Sequence, residues 1–183
     1  RVPFAYNYFL IVGPANDPAG IKDMSPEDAF RTLYETASSK FISRGDDSGT
    51  HSKEKAIWAA AGYDYEVVRN SGDWYVEAGK GMGPTLQMAS EMQAYTLTDM
   101  GTYVSYKSKL ELVPIVQQGA ILLNVYSVIA ISPESNPKTN TEMANNLIAF
   151  LTSPEIQELI GDYGVEEYGM QLFIPCAGAE PTQ

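Results

Sequence analysis

The chain is poor in the residues on which metal sites and covalent catalysis depend. It has one cysteine, Cys176, and one histidine, His51. One thiol cannot close an internal disulfide, and one imidazole removes most zinc sites and most histidine-dependent catalytic schemes. Positive charge is also scarce: 12 Lys and Arg stand against 23 Asp and Glu, a formal net charge of −11. A field of that sign repels phosphate backbones and anionic lipid, so nucleic acid and membrane surfaces are not expected partners. No apolar run reaches the roughly 20 residues of a membrane helix, and no charged-then-apolar signal segment opens the chain. It begins instead on RVPFAYNYFLIVGP, already a strand pattern, which reads as a piece of a longer protein.

What is present is the composition of a packed globular fold. Of 183 residues, 44% are hydrophobic and 19% charged, enough for one large domain or two small ones. Tyr6 to Val12 reads as a strand closed by Gly13-Pro14. Ser25 caps a helix with Pro26 at its first position and Ala29, Phe30, Leu33, Tyr34 and Ala37 as its inner stripe. Phe41 to Ser43 reads as a short buried strand, and a second helix runs from about Thr50 to Ala61, stopped by Gly62. WYVEAG then gives a strand, KGMG a tight loop, and Pro84 opens a helix through about Met92. AYTLTD gives a further strand whose Thr98 caps another helix, followed by strands at LELVPIV and YSVIAIS. Two helices close the chain, from about Thr141 to Leu151 and from Pro154 to Tyr163. The alternation predicts an α/β fold with a mostly parallel sheet and helices on both faces, which binds ligands outside the carboxyl ends of its strands.

Three strand-to-helix turns meet at that edge: Arg44 to Thr50, Gly79 to Thr85 and Thr98 to Gly101. The first, RGDDSGT, sits where unpaired backbone N–H groups and a partial positive charge favour an anion. Glycine lets the backbone approach a ligand, Ser48 and Thr50 add hydroxyls, and Arg44 offers a planar fork of donors. The plain alternative is that Ser48 or Thr50 only caps the helix while Arg44 pairs with Asp46 or Asp47 in solvent. GDDSGT also resembles the nucleophile loop of trypsin-like serine proteases, but no upstream histidine exists to act as base. Arg44-Gly45-Asp46 is too short to mark an adhesion signal, and a phosphate-binding P-loop would need a Gly-Lys-Ser/Thr ending. GKGMG has the wrong spacing for a dinucleotide fingerprint and reads as a second backbone-donor loop or a plain tight turn. Met82, Met88, Met92 and Met100 read as core filler, and His51 as a solvated first-turn residue.

FISRGDDSGTHSKEKAIW, WYVEAGKGMGPTLQMASEMQAYTLTDMGTY, NVYSVIAISPE and FLTSPEIQELIGDYG together resemble the tungstate-binding components of ABC uptake transporters. The resemblance runs from about Tyr6 to Pro175. It implies a type II periplasmic binding protein: two α/β lobes joined by hinge strands that close around a tetrahedral oxyanion. It also implies that the chain starts after the first βα units of lobe 1, since the family's serine- and threonine-rich anion loop has no counterpart here. Residues 1–11 would then be the hinge or entering strand, 12–117 the second lobe, and 118–183 the returning strand and helices that pack on the first lobe. Arg44 and Thr50 become the expected oxyanion contacts, with Ser48, Gly49, Gly83 and Thr85 beside them.

The resemblance further implies an extracytoplasmic or periplasmic binding protein without catalysis, with tungstate or molybdate as ligand, an ABC permease as partner, and no cofactor and no resident metal. The apolar stripes of the last helices, including Leu147, Leu151 and Leu159, predict self-association or a partner chain. Two alternatives remain from the residues themselves: the effector-sensing domain of a regulator, and a phosphate- or sulfate-ester enzyme using Asp46, Asp47 or Asp99.

Overall fold

Strand alternation sets the first element, β1 (Val2–Pro14), whose side chains are buried at every second position to Phe9 and continuously from there to Pro14. A strand covered on one face alternates; one covered on both does not. The computed structural model describes residues 1–181. They form two units, Tyr8–Leu122, and Arg1–Asn7 together with the chain from Leu123 onward.

The larger unit continues with α1 (Pro26–Thr36), β2 (Phe41–Ser43), α2 (Gly49–Ala60), α3 (Tyr65–Arg69), β3 (Tyr75–Glu77), α4 (Met82–Glu91), β4 (Thr96–Asp99), α5 (Met100–Tyr106) and β5 (Leu112–Val116). Ser25 caps α1 by accepting the Asp28 N–H, and Ala37 ends it in the left-handed region. Asp99, rather than its neighbour Thr98, caps α5 through the Thr102 N–H. Both residue types cap helices, aspartate the better of the two, and the stronger cap takes the position.

β2 and β3 pair in parallel, and a parallel bridge from Phe41 to Tyr95 continues them to the start of β4. β1 is antiparallel to both β4 and β5, with a bulge at Ile11/Val12. The strands therefore run β3-β2-β4-β1-β5, and the expected mostly parallel sheet is corrected: the sheet built on β1 is antiparallel. Strand–helix alternation fixes the succession of elements, but not at which end of the sheet each connection finishes. The α1 connection delivers β2 running against β1, whereas the later crossovers return to the same end.

Helices cover both faces of this sheet. On one, Phe30, Leu33, Ile57, Trp58 and Val68 from α1, α2 and α3 pack on Phe9, Ile11, Phe41 and Leu97. On the other, Met82, Leu86 and Ala89 of α4 and Tyr103 of α5 pack on Leu10, Val12 and Ile42. Each fully buried side chain of this size contributes roughly 1.5–3 kcal/mol. The consequence for the site is positional: the turns leaving β2, β3 and β4 share one edge, with that of β2 in the middle.

The smaller unit holds β6 (Leu123–Val128), α6 (Thr141–Leu151), α7 (Pro154–Asp162), α8 (Val165–Tyr168) and β7 (Ile174–Pro175). β6 and β7 both pair with β1, the latter antiparallel through Ala5–Pro175 and Tyr6–Ile174. β6 begins three residues before the expected YSVIAIS segment, and α3, α8 and β7 are too short to announce themselves by periodicity. Gln157 is buried but satisfied, donating to Phe4 and Leu151 carbonyls and accepting the Ala177 N–H. Phe4, Ala5, Tyr126, Leu159, Tyr163 and Phe173 line an apolar hollow. No helix among the described residues is long and apolar enough to cross a membrane.

Candidate functional site

β2 ends at Ser43, and the next four residues turn the chain into α2. Gly45 has φ +59°, and a Cβ there would lie 2.7 Å from Glu77 Cβ, so both conformation and space demand glycine. Asp47 is also left-handed, at φ 54°. Four hydrogen bonds hold the turn. Gly45 N–H donates to Ser43 Oγ at 3.1 Å, Asp47 N–H to His51 Nδ1 at 3.0 Å and Ser48 N–H to Asp46 Oδ1 at 3.2 Å. Ser48 Oγ accepts the His51 N–H at 3.3 Å, which makes Ser48 the cap of α2.

The cap serves only the His51 N–H, and the backbone N–H groups of Gly49 and Thr50, in the first turn of α2, have no partner within the helix. Arg44 points one arm at Asp46, Nη2 to Oδ2 at 2.5 Å. The pair is partly exposed, with 18% and 23% of the two side chains accessible, and it is the Arg44–Asp46 pairing of the plain alternative. Burial pushes the Asp46 carboxyl up, but hydrogen bonds from Ser48 and Arg44 outweigh it and hold it below the usual carboxylate range. Nε of Arg44 is buried and has no partner among the described residues. A buried guanidinium N–H without an acceptor is rare in folded proteins and calls for an explanation.

Beneath the turn lies a network that the sequence did not reveal. Glu54, 1% exposed on the inner face of α2, accepts from Ser43 Oγ at 2.7 Å, Trp58 Nε1 at 3.1 Å and Tyr75 Oη at 2.5 Å. Burial pushes its pKa up to about 7, against the pull of those three donors. His51 is 3% exposed, not solvated as expected from its place in a polar first turn. Its Nε2 meets Tyr65 Oη at 2.6 Å, and Tyr65 donates to Glu77 Oε1. Arg69 completes the chain by pairing with Glu77 at 2.7 Å.

The neighbouring turn starts α4. Gly81 caps it with no side-chain bond, and a Cβ on Gly83 would lie 2.3 Å from Tyr106 Oη. Thr85 is fully buried, and its hydroxyl bonds back to the Gly81 carbonyl at 3.0 Å, so its proton is committed to the loop. Arg44, Ser48, Gly49 and Thr50 thus share one turn, while Gly83 and Thr85 stand on the turn beside it. Among the described residues no group of three or more His, Cys, Asp or Glu could hold a metal ion. Met82 is buried in the core, with Met88, Met92 and Met100 partly buried against it.

The description "PBP superfamily domain" fits residues 1–155. A tungstate-binding protein TupA structure from Desulfovibrio alaskensis superposes with a TM-score of 0.80 at 37% identity, over 96% of this chain and 70% of that one. This chain belongs to the PBP superfamily, in the family of the tungstate-binding proteins. Within that family, the tungstate ABC transporter structure from Geobacter sulfurreducens is 46% identical, with a TM-score of 0.72 over 89% of this chain and 68% of its own. The tungstate-binding protein TupA of Peptoclostridium acidaminophilum is 48% identical over 97% of this chain. The chain spans 61% of the length of that relative.

Proposed function

We propose that the protein is an extracytoplasmic solute-binding protein that captures a tetrahedral oxyanion, tungstate or molybdate, for uptake through an ABC permease. The observation that carries this reading is the buried Nε–H of Arg44, without a partner among the described residues, on the turn that leads into the helix-start N–H groups of Gly49 and Thr50. Every one of these groups is a donor, and a tetrahedral dianion is all acceptor. Gly83 adds a helix-start N–H on the adjacent turn, and Ser48 and Thr85 act as supports. The names of the similar proteins point the same way.

Binding proceeds without catalysis in this reading. Glu54, whose pKa burial raises to about 7, has its oxygens taken by Ser43, Trp58 and Tyr75, so it faces the fold rather than a ligand. In the family's two-lobed design, residues 12–117 supply the second lobe, 1–11 the entering strand, and the residues from 118 onward pack on a first lobe. Met143, Leu147 and Phe150 of α6 are exposed apolar side chains, which supports a first lobe or a second copy as their cover.

Calorimetric titration of the full-length protein with tungstate, molybdate and sulfate tests the reading. Saturable binding of tungstate or molybdate, with no phosphate-ester hydrolysis in added Mg²⁺, is expected. Absence of binding to every oxyanion, or metal-dependent ester hydrolysis, overturns it.

A further inference from the structure

We propose that His51 is a positioning residue for the oxyanion turn: its unprotonated Nδ1 holds the Asp47 backbone N–H and so fixes how the start of α2 presents its free N–H groups. The proposal rests on the reading of this turn as an oxyanion site.

Asp47 occupies the left-handed region at φ 54°, which aspartate tolerates better than most residues but still at some cost, so a bond to its backbone helps to hold it there. The contact that does so is the 3.0 Å bond from its N–H to His51 Nδ1. A backbone N–H can only donate, so Nδ1 must offer a lone pair and the imidazole proton must sit on Nε2. Tyr65 Oη lies 2.6 Å from Nε2 and gives its own proton to Glu77 Oε1, which leaves it to accept from Nε2–H. Arg69 fixes Glu77 in turn. A chain of four side chains from α3, β3 and α2 thus selects one tautomer, as a neighbouring acceptor commonly does for a functional imidazole. The backbone N–H of His51 also bonds Ser48 Oγ, so one residue holds the turn at both Asp47 and Ser48.

A second proton on the ring would set N–H against N–H at Asp47. Burial and the Lys55 ammonium hold the His51 pKa below its ordinary value, opposed by Asp47, Glu77 and Asp46. Asp47 is itself paired to Lys55 at 2.8 Å, and its carboxylate comes no closer to Nδ1 than 3.7 Å. Of the remaining polar groups on this side, Tyr75 donates to Glu54 at 2.5 Å, and its hydroxyl lies a longer 3.3 Å from Tyr65 Oη. The neutral ring is therefore the form that holds the turn.

Asn and Gln substitutions separate the two ring nitrogens, because the Asn amide oxygen falls near Nδ1 and that of Gln near Nε2. In tungstate titrations of the full-length protein, His51→Asn should stay within about threefold of wild type and His51→Gln should weaken binding about tenfold. As pH falls from neutral through the lowered titration range of His51, wild type should lose affinity relative to His51→Asn, since only the imidazole takes a second proton. Protonation of tungstate itself affects both proteins and cancels in the ratio. ¹⁵N spectra of wild-type His51 should show an unprotonated Nδ1 and a protonated Nε2, a readout that needs no variant. A proton on Nδ1 at neutral pH, equal losses in the Asn and Gln variants, or an unchanging affinity ratio overturns the positioning role while leaving tungstate binding intact. Wild-type protein that binds none of tungstate, molybdate and sulfate removes the oxyanion reading, and the proposal with it.

Discussion

The hydroxyl of Ser43 donates to the buried carboxyl of Glu54 at 2.7 Å while accepting the Gly45 backbone N–H at 3.1 Å. The last residue of β2 thereby joins a proton-binding group in the core to the turn that carries Arg44.

Glu54 should make stability depend on pH in a stated direction. Its folded-state pKa is raised from 4.5 to about 7, so the folded protein holds this proton more tightly than the unfolded chain. Its contribution is complete below about pH 4.5 and is lost as pH rises through about 7. Glu54→Gln cannot ionise, so it should gain on wild type over that interval by on the order of 1–3 kcal/mol. Urea unfolding at several pH values measures the difference; a gap that does not widen with pH shows that burial is not the controlling effect.

Arg44→Ala should weaken tungstate binding about tenfold to a hundredfold, because hydrogen bonds to charged groups contribute on the order of 1.5–3 kcal/mol. Arg44→Lys keeps the charge but loses the planar fork and should fall between the two. Thr50→Ala should cost about 1 kcal/mol or less. Calorimetry checks the series, with melting temperatures to exclude unfolding. Full affinity in Arg44→Ala would mean that the guanidinium serves only Asp46.

Gly83→Ala should destabilise through one contact. The new methyl would lie 2.3 Å from Tyr106 Oη and 2.5 Å from Cζ, an overpacking that costs about 1–3 kcal/mol. In a double-mutant cycle with Tyr106→Ala, much of the loss should disappear. Simple additivity of the two substitutions would remove Tyr106 as the obstacle.

Ionic strength should matter little to affinity despite the net charge of −11. Arg44 and the helix-start N–H groups act over a few ångströms, whereas exposed carboxylates are screened beyond roughly 8–10 Å at physiological salt. Titrations at low and moderate salt should give affinities within about threefold of each other. A steep loss would assign binding to long-range charge instead.

Much of the element order was legible because its signals are local. Ser25-Pro26 marks the start of α1, Gly62 follows the end of α2, and α6 spans the residues its apolar spacing predicts. The direction of β1 was not legible, because periodicity records which face a strand buries and not which way its partners run. The network under the turn was hidden for a related reason. His51, Lys53, Glu54 and Lys55 follow one another in α2, and a run so polar reads as a solvated face. Only the folded backbone brings Ser43, Tyr65 and Tyr75, distant in sequence, to the positions where His51 and Glu54 find partners. Arg44 and Ser48 could be singled out from their turn, but whether the arginine met solvent or Asp46 required coordinates.

The place of β1 between β4 and β5 has a kinetic consequence. This strand precedes both of these partners in the chain: Phe9 waits for Asp99, and Pro14 for Leu112. Until those residues exist and have folded, the apolar backbone of Leu10 to Val12 has both edges open, the arrangement from which chains aggregate. Long-range pairings of this kind slow folding, because a large loop must close before any contact rewards it. Refolding of this unit should therefore be limited by the capture of β1 rather than by formation of its helices.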